Sequence, residues 1–130
     1  MKRILITGSR DWRKPEVIQE AIVSWVRENC PEPEEVIIVH GDASRGADRQ
    51  ARDIARAADW LTEEPHAADW SWGKGAGMYR NTEMVQLGAD VCLAFSRNSS
   101  PGTRHCAGEA AKAGIPVVRY LDNDEEPHLD

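Results

Sequence analysis

The stretch Val36-Ile-Ile-Val-His-Gly-Asp-Ala-Ser-Arg-Gly-Ala-Asp48 constrains the fold more than any other part of the chain. Its four leading apolar residues, rich in β-branched side chains, suit a strand covered on both faces. Gly41 and Gly46 then bracket a small polar loop, and Ala47, Ala51, Ile54, Ala55 and Ala58 recur at helical spacing. A strand that turns through glycines into a helix presents the free amides and positive dipole end of that helix to whatever lies above the strand. Such a place suits a phosphate or carboxylate.

The rest of the chain repeats the device. Arg3–Thr7 reads as a first strand and Gly8–Trp12 as its loop; Pro15 starts a helix whose Val17, Ile18, Ala21, Ile22, Trp25 and Val26 share one face. Pro31–Glu35 ends that helix, and Asp59–Glu64 reads as a short edge strand, where charge is tolerated. Pro65–Gly77 is loop, a helix is expected from about Met78 to Leu87, and Val91–Phe95 is another buried strand. Ser96–Thr103 is a loop entering a helix with Ala107, Ala110, Ala111 and Ala113; Pro116–Tyr120 is the last strand. Strands alternating with helices predict a three-layer α/β domain of about five mostly parallel strands, in the order 3-2-1-4-5. One domain over residues 1–121 is expected, with an acidic tail at 122–130.

Composition narrows the function. A formal charge of −6 disfavours a nucleic-acid partner held by general electrostatics. Cys30, Cys92 and Cys106 are odd in number and scattered, which argues for reduced thiols and no disulfide framework. No apolar run reaches membrane-span length, and Thr7–Asp11 cuts short any signal-peptide core. The expectation is a cytoplasmic protein with no membrane partner. The histidines lack metal-ligand spacing, so neither a metal nor a cofactor is expected.

In parallel sheets ligands sit outside the carboxyl ends of the strands, near the point where strand order reverses. Four segments could converge there. Gly41, Asp42, Ser44, Gly46, Ala47 and Asp48 form the first, with backbone amides and the Ser44 hydroxyl for an anion and Asp48 as helix cap or acceptor from a sugar. Ser99, Ser100, Gly102 and Thr103 form the second, where hydroxyls and glycine suit phosphate, although Ser100 or Thr103 could simply cap the helix. Gly8, Ser9 and Arg10 follow the first strand, and Arg10 offers a guanidinium fork. Arg80 and Asn81 stand at a helix start, for phosphate or carboxylate and for base or sugar. Trp70 and Trp72 could stack on a base or cover the core. His105 lies near the second loop. Arg45, Arg49, Arg52 and Arg56 are interleaved with Asp48, Asp53 and Asp59, which reads as a solvated ion-paired face.

Gly8-Ser-Arg-Asp-Trp12, Gly41-Asp-Ala…Gly46-Ala-Asp48, Ala76-Gly-Met-Tyr-Arg-Asn81 and Gly102-Thr103…Ala113-Gly-Ile-Pro116, in this order, resemble the SLOG superfamily and within it the YspA-like branch. The resemblance implies a Rossmann-like fold. The superfamily includes LOG phosphoribohydrolases, the DNA-processing protein DprA, molybdenum-cofactor carriers and proposed sensors of nucleotide-derived signals. For this chain the resemblance implies a nucleotide-type small molecule, ADP-ribose-like or nucleoside phosphate, bound by a sensor or sequestering module that forms a homodimer or larger homo-oligomer. The enzyme alternative is a LOG-like N-glycosidase. Arg80 occupies the place of the arginine LOG enzymes use near the scissile sugar. Ser99-Ser100 replace their glycine pair, and Cys106 stands where their catalytic glutamate would be. Glu109, one helical turn later, could substitute, as could Asp48 or Glu83. A third alternative is an interaction module with Trp12, Trp25, Trp70 and Trp72 partly at an interface.

Overall fold

The computed structural model describes residues 1–122. In chain order it contains β1 (Lys2–Gly8), α1 (Pro15–Asn29), β2 (Val36–His40), α2 (Ala47–Arg56), β3 (Leu61–Pro65), a 3-10 turn at Trp70–Trp72, α3 (Ala76–Gln86), β4 (Val91–Arg97), α4 (Pro101–Lys112) and β5 (Val117–Asp122). Every strand pairing is parallel, and the five strands lie in the order β3-β2-β1-β4-β5. This three-layer, Rossmann-like arrangement is the one the strand–helix alternation predicts. Among the described residues, no helix is long and apolar enough to cross a membrane.

The two faces of the sheet follow from the period-2 alternation of its central strands. Ile4, Ile6, Ile38, Val91, Leu93 and Phe95 point to one side and pack with Ile18, Ile22, Ala47, Ala51 and Ala55 from α1 and α2. Leu5, Val39 and Cys92 point to the other, against Met84, Val85, Cys106 and Ala110 from α3 and α4. Small residues on α2 and α4 let those helices lie close on the sheet. Trp12 belongs to the first core: it is 3% exposed, sits edge-on to Phe95 and donates its indole N–H to the Lys14 carbonyl. Its expected place at an interface is therefore corrected, since the loop after β1 folds the indole inward over Phe95.

Element boundaries shift in ways that matter for the cleft. α3 begins at Ala76, two residues before the expected start, and α4 begins at Pro101, so Gly102 and Thr103 lie in its first turn rather than in the preceding loop. β4 continues to Arg97, and β5 takes in Asp122, the residue expected to open the acidic tail. Asp122 is held by Arg13 at 2.9 Å and Lys14 at 3.4 Å, and those cations keep its carboxyl below the usual range. The remainder of the acidic tail, 123–130, lies outside the described residues.

Two local features hold this frame. Gly46, with φ of 76°, comes so close to the loop after β1 that a Cβ there would stand 2.3 Å from the Ser9 carbonyl oxygen. On the opposite face, Arg3 of β1 grips Glu64 of β3 through two bonds of 2.8 Å, and its Nε donates to the Gly88 carbonyl just beyond α3. The Arg3 guanidinium, helped by His66, brings the Glu64 carboxyl down to about 2.

Gly46→Ala combines a left-handed backbone with a backbone collision. We expect it to cost about 1–3 kcal/mol or more, read as a lowered urea midpoint; an unchanged midpoint would contradict the contact. The Glu64 pKa is depressed on folding, so its contribution is present above about 4.5 and is lost as pH falls toward about 2. Glu64→Gln should therefore flatten the acid limb of stability against pH over that window. An acid limb identical to the wild type would show that the pair does not contribute.

Candidate ligand cleft

A cleft of about 450 Å³ opens at the carboxyl ends of β1, β2 and β4, where the strand order reverses. The β1 loop supplies Gly8, Ser9, Arg10 and Asp11; the β2 loop, Gly41, Ala43 and, from α2, Asp48. The segment before α3 and the helix itself supply Trp70, Lys74, Gly77, Met78, Arg80, Asn81 and Met84. Arg97 to Thr103 close the remaining side.

The floor is polar although it is buried. Seven polar or charged residues of the described chain are buried, and five of them line this cleft: Thr7, Ser9, Asp48, Asn81 and Thr103. Burying such groups costs free energy unless partners compensate, so their collection around one cavity makes it the candidate site. Their mutual bonds are specific. Arg80 donates from Nη1 to the Gly41 and His66 carbonyls and from Nε to Asn81 Oδ1 at 3.0 Å. Asn81 Nδ2 in turn donates to the Gly102 carbonyl at 3.3 Å and lies 3.4 Å from His105 Nδ1. α3 thereby ties the β2 loop to the start of α4.

The Gly41–Asp48 loop is organised differently from an anion cradle. The Asp48 carboxylate turns back into the loop and accepts from the Ala43 amide at 3.2 Å. Burial pushes the Asp48 carboxyl above its ordinary range, while the Ala43 amide, His40 and Arg80 pull against that rise. Gly41 leaves room for this arrangement: a Cβ on it would stand 2.5 Å from Arg80 Nη1 and 3.0 Å from Asp48 Oδ2. The first amide of α2, on Ala47, is already bonded to the Ser9 carbonyl at 3.1 Å. Gly46 and Ala47 are buried against the β1 loop and, with the exposed Asp42 and Ser44, stand outside the cleft lining.

The start of α4 is more open. Pro101 has no N–H, and the amides of Gly102 and Thr103 lie in the first helical turn, where no intrahelical acceptor exists. Ser100 Oγ bonds Thr103 Oγ1 at 2.7 Å and does not cap the helix through a backbone amide. Above it the lining carries Arg10, Lys74, Arg80 and Arg97 against only Asp11 and Asp48. The cleft is thus basic within a chain of charge −6.

Of the residues singled out from sequence, Gly8, Ser9, Arg10, Gly41, Asp48, Arg80, Asn81, Ser99, Ser100, Gly102 and Thr103 come together here. Glu109 does not line the cleft; it lies 3.6 Å from His105 on α4. Cys106, in the position of the LOG glutamate, is fully buried, and burial raises its thiol to about 11. Sequence reasoning missed Lys74, Arg97 and Asn98. Arg97 ends the strand beside the reversal point, which was a usable signal; Lys74, between glycines in a loop, offered none.

A parallel sheet with helices on both faces and a polar cleft at its reversal point defines a Rossmann-like domain. Residues 2–73 match the family model described as YspA, cpYpsA-related SLOG family. The chain is also 47% identical, over 131 aligned residues, to the Gene 61 protein of Mycobacterium phage D29, covering 94% of this chain and 98% of that protein. The chain belongs to the YspA, cpYpsA-related SLOG family, and that membership suggests a nucleotide-related role.

The raised pKa of Asp48 has a testable sign. A carboxyl whose pKa is higher in the folded chain contributes its full stability below the ordinary value of 3.8 and loses it as pH rises through the folded value. Asp48→Asn keeps an acceptor for the Ala43 amide and removes that loss. Its melting temperature relative to the wild type should climb from acid to neutral pH; parallel pH profiles would overturn the assignment.

Proposed function

We propose that this protein binds a nucleotide-derived ligand, a nucleoside phosphate or an ADP-ribose-like molecule, in this cleft as a sensor or sequestering module. The observation that carries the reading is the set of five buried polar residues lining one basic cavity. The Gly102 and Thr103 amides at the N-terminus of α4 suit a phosphate, with Arg10 and Lys74 adding positive charge around it, while Arg97 is paired with Asp11 at 2.9 Å. Asp48 and Asn81 suit the hydroxyls of a ribose, because a carboxylate accepts two hydroxyl protons and an amide both donates and accepts. The Asp48 carboxylate repels a phosphate, which favours one orientation of the ligand: sugar beside Asp48, phosphate beside α4. The cavity volume lies within the range of small-molecule sites.

A second reading, hydrolysis of an N-glycosidic bond, is supported by one feature. Asp48 is a carboxyl on the cleft floor whose pKa burial raises above its ordinary range, and a raised carboxyl is a common feature of general acids and bases. Neither Cys106 nor Glu109 offers that group at the cavity.

Thermal-shift measurements with AMP, GMP, CMP, UMP, ADP-ribose and ribose 5-phosphate test both readings, with chromatography of each mixture after incubation. A bound nucleotide at about 100 times its Kd should add roughly 2.7 kcal/mol of stability. Asp48→Asn should weaken binding by about 10- to 100-fold through loss of a charge-assisted hydrogen bond. An intact nucleotide supports the binder, free base with ribose 5-phosphate supports the glycosidase, and no shift with any compound overturns both.

A further inference from the structure

Trp70 is a large indole in an unexpected place. It is 53% exposed, belongs to neither core cluster, and forms part of the cleft lining. Burial does not account for its position, yet three contacts set it. The Asp69 side chain caps its 3-10 turn by accepting from the Ser71 amide at 3.1 Å. The ring lies on the first turn of α3, where a Cβ at Gly77 would meet it at 3.0 Å. The Arg10 guanidinium, arriving from the loop after β1, lies over the indole with its Cζ 5.4 Å from the ring centroid. Trp72, two residues on, differs: it packs edge-on to Tyr79 and does not line the cleft.

We propose that Trp70 is the platform on which the nucleobase of the ligand stacks, the base taking the indole face that Arg10 now covers and releasing Arg10 to pair with the phosphate. This rests on the nucleotide reading above and adds to it the residue that recognises the base. The chemistry of the exchange is balanced. A cation over an exposed indole gains little in water, so Arg10 is held weakly enough to be displaced. An aromatic base offers a larger stacked area to the same ring, and a phosphate offers the guanidinium two parallel hydrogen bonds. A flat ring stacked on Trp70 is read by its π-face rather than by hydrogen bonds, so the site accepts all four common bases and favours the larger purines.

The test compares AMP, GMP, CMP and UMP with ribose 5-phosphate, which lacks a base, by calorimetry and tryptophan fluorescence. Wild-type protein should bind the nucleotides with quenching of its fluorescence, purines more tightly than pyrimidines, and should bind ribose 5-phosphate without quenching. Trp70→Leu should weaken the nucleotides by about 10- to 100-fold and change ribose 5-phosphate by less than about threefold, a difference within the scatter of neutral contacts. Trp70→Phe should keep most of the affinity and lose the quenching. Arg10→Ala should weaken nucleotides and ribose 5-phosphate alike. Melting temperatures of the variants, expected near the wild type for so exposed a side chain, separate loss of the platform from loss of the fold. Nucleotide affinity unchanged in Trp70→Leu, or weakened equally with ribose 5-phosphate, overturns the platform alone. A wild-type protein that binds none of these compounds overturns the nucleotide reading and the platform with it.

Discussion

The carbonyl oxygen of Ser9 is the point on which the cleft edge of this domain depends. It accepts from the Trp12 amide at 3.2 Å and from the Ala47 amide at 3.1 Å, while the amide of the same residue donates to the Phe95 carbonyl at 2.9 Å. The Ser9 hydroxyl accepts from the Arg97 amide at 2.8 Å. One residue thus joins the loop after β1 to the start of α2 and to the end of β4, three elements far apart in sequence. The junction forms only because its neighbours are small: a Cβ on Gly8 would stand 2.4 Å from the Ala47 Cβ, and one on Gly46 would strike the Ser9 carbonyl. Backbone groups buried in such a knot must be paired, and here each is paired by another element of the cleft wall. The cleft wall is therefore braced by its own hydrogen bonds.

That constraint explains the electrostatics. Because Ser9 takes the first amide of α2 and Asp48 takes the Ala43 amide, the glycine loop between β2 and α2 has already spent donors that an anion would need. The remaining donors lie across the reversal point, at the start of α4, with basic side chains around them. The cleft is polarised as a result, with a buried acceptor on one side and open donors with cations on the other. Arg80 stands between the two, and its bonds to Gly41, His66 and Asn81 keep the halves in register.

Much of this was legible in the chain. The apolar runs at Val36–Val39 and Val91–Phe95 and the spacing of alanines after Gly46 named the strands and helices, and the strand order followed from their alternation. Eleven of the candidate ligand residues do line one cavity. What the residues could not disclose was how amides and carboxylates within a loop pair with each other. The Gly41–Asp48 stretch looks like an anion loop by composition, yet the direction of one short side chain, Asp48, decides that its amides face inward. Trp12 illustrates the same limit: a tryptophan in a polar loop reads as exposed until Phe95, more than eighty positions away in the chain, supplies the surface that buries it.

By itself, then, the sequence determined the class of fold, the reversal point and the neighbourhood of the site, because hydrophobic period and glycine position act over a few residues and survive any tertiary context. Only the tertiary structure decided which loop keeps its donors open, which carboxylate reaches the cleft, and which indole stands over it. Those outcomes depend on distances between segments brought together by the sheet, and on the desolvation that follows, neither of which is a property of any stretch read alone.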